Sequence, residues 1–165
     1  MSLHNISHFG YIDTQELQLL YLGEMELHNT TVQLDLNFEN TSIDEDKFSL
    51  IQQFIENIRI HDLTNKKYIL ENYEDENEDA VIDYINHHIK TLPTDDLVTL
   101  TGAHSKSNEK PQLLMKKLKL ARVGMYPQDK AFAVFDYSLG TGLSEYVIAV
   151  NTDENGNLLS IFMEG

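Results

Sequence analysis

Residues 117–162 decide the fold of this chain, and they read KLKLARVGMYPQDKAFAVFDYSLGTGLSEYVIAVNTDENGNLLSIF. Apolar runs alternate with turn signals here, and hardly any interval favours a helix. The pattern predicts strands at residues 117–126, 130–138, 145–151 and 158–163, joined by turns at residues 126–129, 140–142 and 153–157. The last turn contains Asn155-Gly156, a strong hairpin signal. We therefore expect an antiparallel meander that every other element packs against or extends.

A hairpin is predicted near the N-terminus, where apolar and polar residues alternate on both sides of Asn29-Thr30. A two-residue loop at Asn29-Thr30 places the apolar side chains on one face by pairing Leu27 with Val32, Met25 with Leu34, Gly23 with Leu36 and Tyr21 with Phe38. Asn29 adopts positive φ readily and Thr30 reluctantly, so a longer loop is an open alternative. Residues 9–12 form a further candidate strand.

The middle of the chain predicts helices. Ser42-Ile43-Asp44-Glu45 fits a capping box, in which the hydroxyl and the carboxylate satisfy each other's backbone donors. One helical face after it carries Phe48, Ile51, Ile55 and Ile58. Further apolar spacings predict helices at residues 62–73, 79–92 and 94–100, and a short helix that begins at Pro111.

Together these elements predict an α+β fold: an antiparallel sheet, made of the N-terminal hairpin and the C-terminal meander, with three to four helices packed on one face. The length of 165 residues fits a single domain over residues 1–165. Residues 1–3 and 164–165 resemble remnants of an expression vector. The strand 131–137 is apolar on both faces until Asp136, so we expect helices on one side of it and, as one option, a partner on the other.

Charge and composition exclude several classes of protein. The formal net charge of −15 argues against a nucleic-acid partner, because phosphates require Lys and Arg. Cysteine is absent, which suits a reducing compartment. Neither a signal peptide nor a membrane span is visible, so we expect a soluble, cytoplasmic protein without a membrane partner.

Basic residues are concentrated in one segment, which we call the basic strip: Lys106, Lys110, Lys116, Lys117, Lys119 and Arg122, half of the chain's twelve Lys and Arg residues. One interpretation is that the basic strip faces the acidic helices of the same chain. The other is that it forms a docking edge for an acidic partner.

Several motifs resemble those of a known family. They are LNFEN at residues 36–40, YINHH at 84–88, VGMYP at 123–127, FDY at 135–137 and DENG at 153–156. With them the chain resembles, over nearly its whole length, the bacterial family of uncharacterised proteins catalogued as domain of unknown function two-thousand-and-four. The resemblance implies a small cytoplasmic bacterial protein and supplies no catalytic residues.

The seven histidines raise the question of a metal-binding site, which we do not favour. His4 and His8 have the helical i, i+4 spacing of zinc ligands, but no glutamate accompanies them. His87 and His88 would point about 100° apart on a helix, so they cannot readily share one ion. His88 falls in an apolar stripe, where a hydrogen-bonded core residue is the simpler interpretation. We therefore expect no metal and no cofactor.

Arg122 and Asp136 are the most informative polar residues, because both interrupt apolar strands. If Tyr126 pairs with Lys130, Arg122 faces Val134 and lies diagonal to Asp136 on one sheet face. The structural interpretation is a partly buried ion pair. The functional one is a ligand cleft lined by Arg122, Asp136 and tyrosines, the candidates being Tyr126, Tyr137 and Tyr146.

Three functions follow from these patterns. The first is a non-enzymatic domain that binds another protein, indicated by the acidic surface, the basic strip and the lack of an assembled acid–base or nucleophile set. The second is a small-ligand binder or enzyme that uses the sheet face around Arg122 and Asp136. The third is a homo-oligomer whose sheet face is its own interface.

Overall fold

Thirteen elements make up the computed structural model, which describes residues 2–140 and 142–165. The strands are β1 (Leu3–Ile6), β2 (Gly10–Asp13), β3 (Leu20–Leu27), β4 (Thr30–Asn37), β5 (Lys119–Met125), β6 (Ala133–Ser138), β7 (Val147–Thr152) and β8 (Leu158–Glu164). The helices are α1 (Glu45–Glu56), α2 (Ile58–Glu74), α3 (Ala80–Thr91), α4 (Thr94–Thr101) and α5 (Lys110–Lys117). Met1 and Thr141, the latter in the predicted turn 140–142, lie outside the described residues.

The six-stranded sheet follows the chain, in the order β3-β4-β5-β6-β7-β8. Strands β1 and β2 form a separate two-stranded hairpin. The α+β prediction is therefore confirmed, with the sheet built from the predicted hairpin and meander. The sheet is mixed and not antiparallel throughout, because β4 and β5 pair in parallel. All five helices lie in the connection between these two strands, and a connection of this kind is what a parallel pair requires.

The core lies between the helices and one face of the sheet. Val123, Phe135, Tyr137 and Val150 are fully buried on that face. Their sequence neighbours point to the opposite face, which we call the open face, and the two faces alternate as the pleat of a strand requires. On the open face of β6, Val134 and Asp136 are half-buried. The helices therefore cover one side of strand 131–137, and whether a partner covers the other stays a prediction.

The β3–β4 hairpin forms as predicted, but the predicted register differs from the observed one by two residues. Leu27 pairs with Thr30 and Met25 with Val32, so the loop is His28-Asn29. Both loop residues have positive φ, 50° and 61°, as a type I′ turn requires. A shift of two residues keeps every side chain on its face, so the apolar pattern fits both registers.

Two other details of the prediction are corrected. The capping box does not form: α1 begins after Asp44, and no side chain caps it. In the meander, Arg122 pairs directly with Asp136 instead of lying diagonal to it, because the turn is longer than predicted: the Tyr126 N–H donates to the carbonyl of Phe132, and Tyr126 does not pair with Lys130. The terminal residues that resembled vector remnants include Leu3 and Glu164, which pair with Asp13 and Val147 within strands.

Candidate functional site

Arg122 is the centre of a polar cluster on the open face. Its Nε and Nη2 donate to the two carboxylate oxygens of Asp35, at 2.7 and 2.8 Å. Its Nη1 donates to Asp136 at 3.1 Å, and Nη2 also donates to the hydroxyl of Tyr126 at 3.0 Å. The guanidinium thus binds β4 and β6 from β5, with a two-pronged contact across the parallel pair.

Gly124 makes this arrangement possible. It lies two residues after Arg122 on the open face, and a Cβ there would overlap the Arg122 guanidinium and come within 3.0 Å of an Asp35 oxygen. The absence of a side chain at this strand position lets the arginine lie flat across the backbone.

Burial and charge act in opposite directions at this cluster. Burial alone would lower the pKa of Arg122, but the hydrogen bonds that Arg122 donates to Asp35, Tyr126 and Asp136 raise it overall. Burial raises the pKa of Asp136, and Arg122 only partly offsets that effect. One Asp136 oxygen is buried without a hydrogen-bond partner among the described residues. The Asp136 carboxylate therefore gains less from the cluster than Asp35 does.

The cluster favours a structural role over a ligand cleft. Four of the five N–H groups of a guanidinium are used by partners inside the sheet. Five cavities of about 200 to 410 Å³ among the described residues are lined by other side chains, although Tyr126 borders one of them.

The two other candidate tyrosines lie away from this cluster. Tyr137 points into the core, where its hydroxyl donates to Asp62 at 2.7 Å. Tyr146 packs its ring against His87, with the centroids 4.7 Å apart. The structure thus brings Arg122, Tyr126 and Asp136 together, and it places Tyr137 and Tyr146 elsewhere.

The histidines occupy separate environments. The prediction for His88 is confirmed: it is buried, and its Nδ1 lies 2.6 Å from the carbonyl oxygen of Tyr84, to which it donates. His4 pairs with Glu45 at 3.1 Å. Among residues 2–140 and 142–165, no group of three or more His, Asp or Glu side chains is arranged to hold a metal ion. The same residues contain no helix that could cross a bilayer.

The interpretation that the basic strip faces helices of the same chain stays a prediction, and α5, which carries three of its lysines, packs against α3 and α4. Of its six members only Arg122 forms an ion pair with a described carboxylate. The side chain of Lys110 instead donates to the hydroxyl of Ser105 at 2.8 Å. Lys116 and Lys119 are exposed at the junction of α5 and β5. The strip therefore carries positive charge that the chain itself does not neutralise.

Lys116 and Lys119 line a groove that the sequence did not reveal. A polar cavity of about 230 Å³ has His28, Asp62, Lys66, Lys116 and Lys119 in its wall. Three lysines against one carboxylate leave a local charge of +2 in a chain of −15. Lys66 and Asp62 lie on α2, far from the basic strip in sequence, so only the packing of α2 beside α5 could disclose the cluster.

Asp62 is the buried carboxylate in the wall of this groove. One of its oxygens accepts from Tyr137, and the other lies 3.2 Å from the Lys66 amine and 3.7 Å from the ring of His28. Its side chain is 1% exposed, so these neighbours replace water for a buried carboxylate. Burial raises the pKa of Tyr137 well above its ordinary value, and the adjacent Asp62 adds to the effect, so the hydroxyl stays a donor.

No family model matches the chain, and neither a curated protein nor a solved structure matches it. The family resemblance of the motifs at residues 36–40, 84–88 and 123–127 therefore stays a prediction.

Proposed function

We propose that this chain is a protein-binding domain, without catalytic activity of its own, that holds an acidic surface of a partner protein. The observation that carries the proposal is the excess positive charge of the groove, in which Asp62 pairs with Lys66 but Lys116 and Lys119 form no ion pair with a described carboxylate, in a chain whose net charge is −15. Lys116 and Lys119 are exposed and pair with no described carboxylate, although the chain has 27 Asp and Glu residues. Such a patch of opposite sign attracts and orients an acidic partner.

The Arg122 cluster supports binding over catalysis. The guanidinium of Arg122 is already paired with the carboxylates of Asp35 and Asp136, so it is not free to act on a substrate. We further propose a bacterial, cytoplasmic protein of the family that the sequence motifs resemble. The absence of cysteine is consistent with that compartment.

Affinity capture from a lysate of the native host tests the proposal. The wild-type chain should retain a stoichiometric partner at about 0.05 M NaCl and release it at about 0.5 M, because salt screens exposed charges. The double variant Lys116→Glu/Lys119→Glu should retain little of that partner, as judged by quantitative mass spectrometry.

The matched control is Lys90→Glu/Lys130→Glu, which changes the net charge equally at exposed sites outside the groove. The control should retain the partner. Equal loss in both double variants would mean that net charge alone governs binding. Retention by Lys116→Glu/Lys119→Glu would place the partner elsewhere and contradict the proposal.

A further inference from the structure

The long helix α2 buries polar side chains beside Ile58 and Ile69, and it exposes several large apolar ones. Asp62 and Asn65 are fully buried on its inner side. On its outer side Ile60, Leu63 and Leu70 are 61%, 58% and 41% exposed. A surface helix ordinarily buries its apolar side chains and exposes its polar ones. The outer face of α2 therefore exposes three large apolar side chains between charged ones such as Lys66 and Lys67.

An apolar cavity continues the polar groove along α2. It has a volume of about 300 Å³ and is lined by the aliphatic side chains Ile69, Leu70, Met115 and Leu118. Lys66, Lys116 and Leu118 belong to the walls of both cavities. The two cavities thus form one groove with an apolar end and a polar end, and we call it the α2–α5 groove.

Lysine amines stand at the boundary between the two ends. Lys66 lies three residues after Leu63 and four before Leu70, so the two exposed leucines flank it on the helix surface. A segment lying along α2 would meet aliphatic side chains and amines together. Aliphatic contacts select apolar side chains, and the amines select carboxylates, so both must occur in the ligand.

We infer that the α2–α5 groove binds an acidic amphipathic segment of a partner protein. Its apolar side chains cover Leu63 and Leu70 and enter the aliphatic cavity, while its carboxylates meet Lys116 and Lys119. Charge complementarity favours this occupant, because the lysines in the groove wall outnumber its one carboxylate by two. A nucleic acid would bring anionic groups but no aliphatic side chain for the cavity lined by Ile69 and Leu70. The inference rests on the proposed function and specifies its partner.

Fluorescence anisotropy with a labelled synthetic peptide tests this inference. The probe is a peptide of about 20 residues with leucines at i, i+3, i+4 and i+7 and Glu or Asp at most other positions. A scrambled peptide of identical composition, without that leucine spacing, is the second probe. The amphipathic peptide should bind the wild-type chain at least about tenfold more tightly than the scrambled one.

Variants of the groove and of a distant leucine complete the experiment. Leu63→Ser and Leu70→Ser should each weaken binding about tenfold. Leu22→Ser removes a leucine that is 73% exposed on the open face, and it should leave binding unchanged. All three sites are exposed, and circular dichroism melting checks that each variant is folded.

The outcomes separate this inference from the proposed function. One contrary outcome is that both peptides bind the wild-type chain equally and lose affinity only for the Lys116→Glu/Lys119→Glu variant. In that case the groove recognises charge alone, and the inference is wrong while the proposed function stands. A duplex oligonucleotide of equal charge that binds more tightly than the peptide would overturn both. Self-association that disappears in Leu63→Ser would make a second copy the occupant, which also overturns the inference.

Discussion

Arg122 joins three strands with one side chain, and the neighbouring glycine gives it room to do so. Its shortest contacts run to Asp35 on β4, and a third contact reaches Asp136 on β6. The side chain is one-third exposed, so water weakens each of these ion pairs. The value of the cluster lies in its geometry, since a two-pronged contact fixes the distance between β4 and β5.

Replacing Gly124 should disturb this cluster and little else. Gly124→Ala should reduce the free energy of unfolding by about 1–3 kcal/mol, because the new methyl group overlaps the Arg122 guanidinium. In an Arg122→Ala background the same change should cost much less, because the overlapping group is gone. Urea unfolding of the four proteins measures the coupling.

Gly142 provides the control for this cycle, because a Cβ at that position meets nothing within 4 Å. Gly142→Ala should change the free energy of unfolding by no more than about 0.5 kcal/mol. If the Gly124→Ala and Arg122→Ala losses simply add, the guanidinium does not lie over Gly124.

Sequence reasoning at this scale found Arg122, Tyr126 and Asp136, three of the four members of the cluster, and missed Asp35. Arg122 and Asp136 stand out because each is polar within an apolar run, and both belong to one predicted hairpin. Asp35 did not stand out, because in its own strand it falls on the polar side of a regular alternation. It meets Arg122 only through the parallel pairing of β4 and β5, which no local pattern specifies.

At the scale of elements, the hairpin and α2 show where local patterns lose information. The apolar alternation of β3 and β4 fits two registers equally, and the backbone at His28-Asn29 selects one of them. For α2 the pattern misleads, because Leu63 looks like a core residue and is exposed while Asp62 is buried. The local turn decides the register of the hairpin, whereas α2 depends on tertiary partners such as Tyr137, which lie far away in sequence.

The helix α3 gives the protein a pH-dependent stability through His88. Burial lowers the pKa of His88, the Tyr84 carbonyl partly opposes this effect, and His87 adds to it. The unfolded chain therefore binds the proton more readily than the folded one. The stabilising contribution is complete above the ordinary histidine pKa of about 6.5, and it is lost as pH falls through the lower folded value.

The free energy of unfolding should therefore decrease between pH 7 and pH 5, with a slope of at most about 1.4 kcal/mol per pH unit from His88. His88→Gln should flatten this slope, as measured by urea unfolding across the pH series. Burial also lowers the pKa of His61, so a smaller slope of the same sign should remain. The exposed His104 is the control, and a His104→Gln variant that flattens the slope equally would contradict the assignment.

At the scale of the whole molecule, the helices lie together on one side of the six-stranded sheet. All of them belong to the single connection between β4 and β5. Composition and periodicity were sufficient for the α+β class, because helical and strand periods occupy separate stretches. They were insufficient for the mixed pairing, because the direction in which the long helical connection returns to the sheet depends on packing. The α2–α5 groove shares this origin, since it forms where the second helix of that connection lies beside the last one.

The parallel pairing of β4 and β5 also has a consequence for folding kinetics. Strands β5 to β8 are joined by short turns, whereas β4 and β5 meet only after the chain from residue 38 to residue 118 has been arranged. Closing such a long connection costs more chain entropy than closing a short turn. We therefore expect the meander to form early and the β4–β5 pair to close after the rate-limiting step.

Two variants separate these stages in stopped-flow kinetics. Asp35→Ala removes the contact across β4 and β5, so it should mainly accelerate unfolding. Ile148→Val, in the core of β7, should mainly slow folding, because its contacts belong to the meander. If Asp35→Ala slows folding as much as Ile148→Val does, the two halves of the sheet are already joined in the transition state.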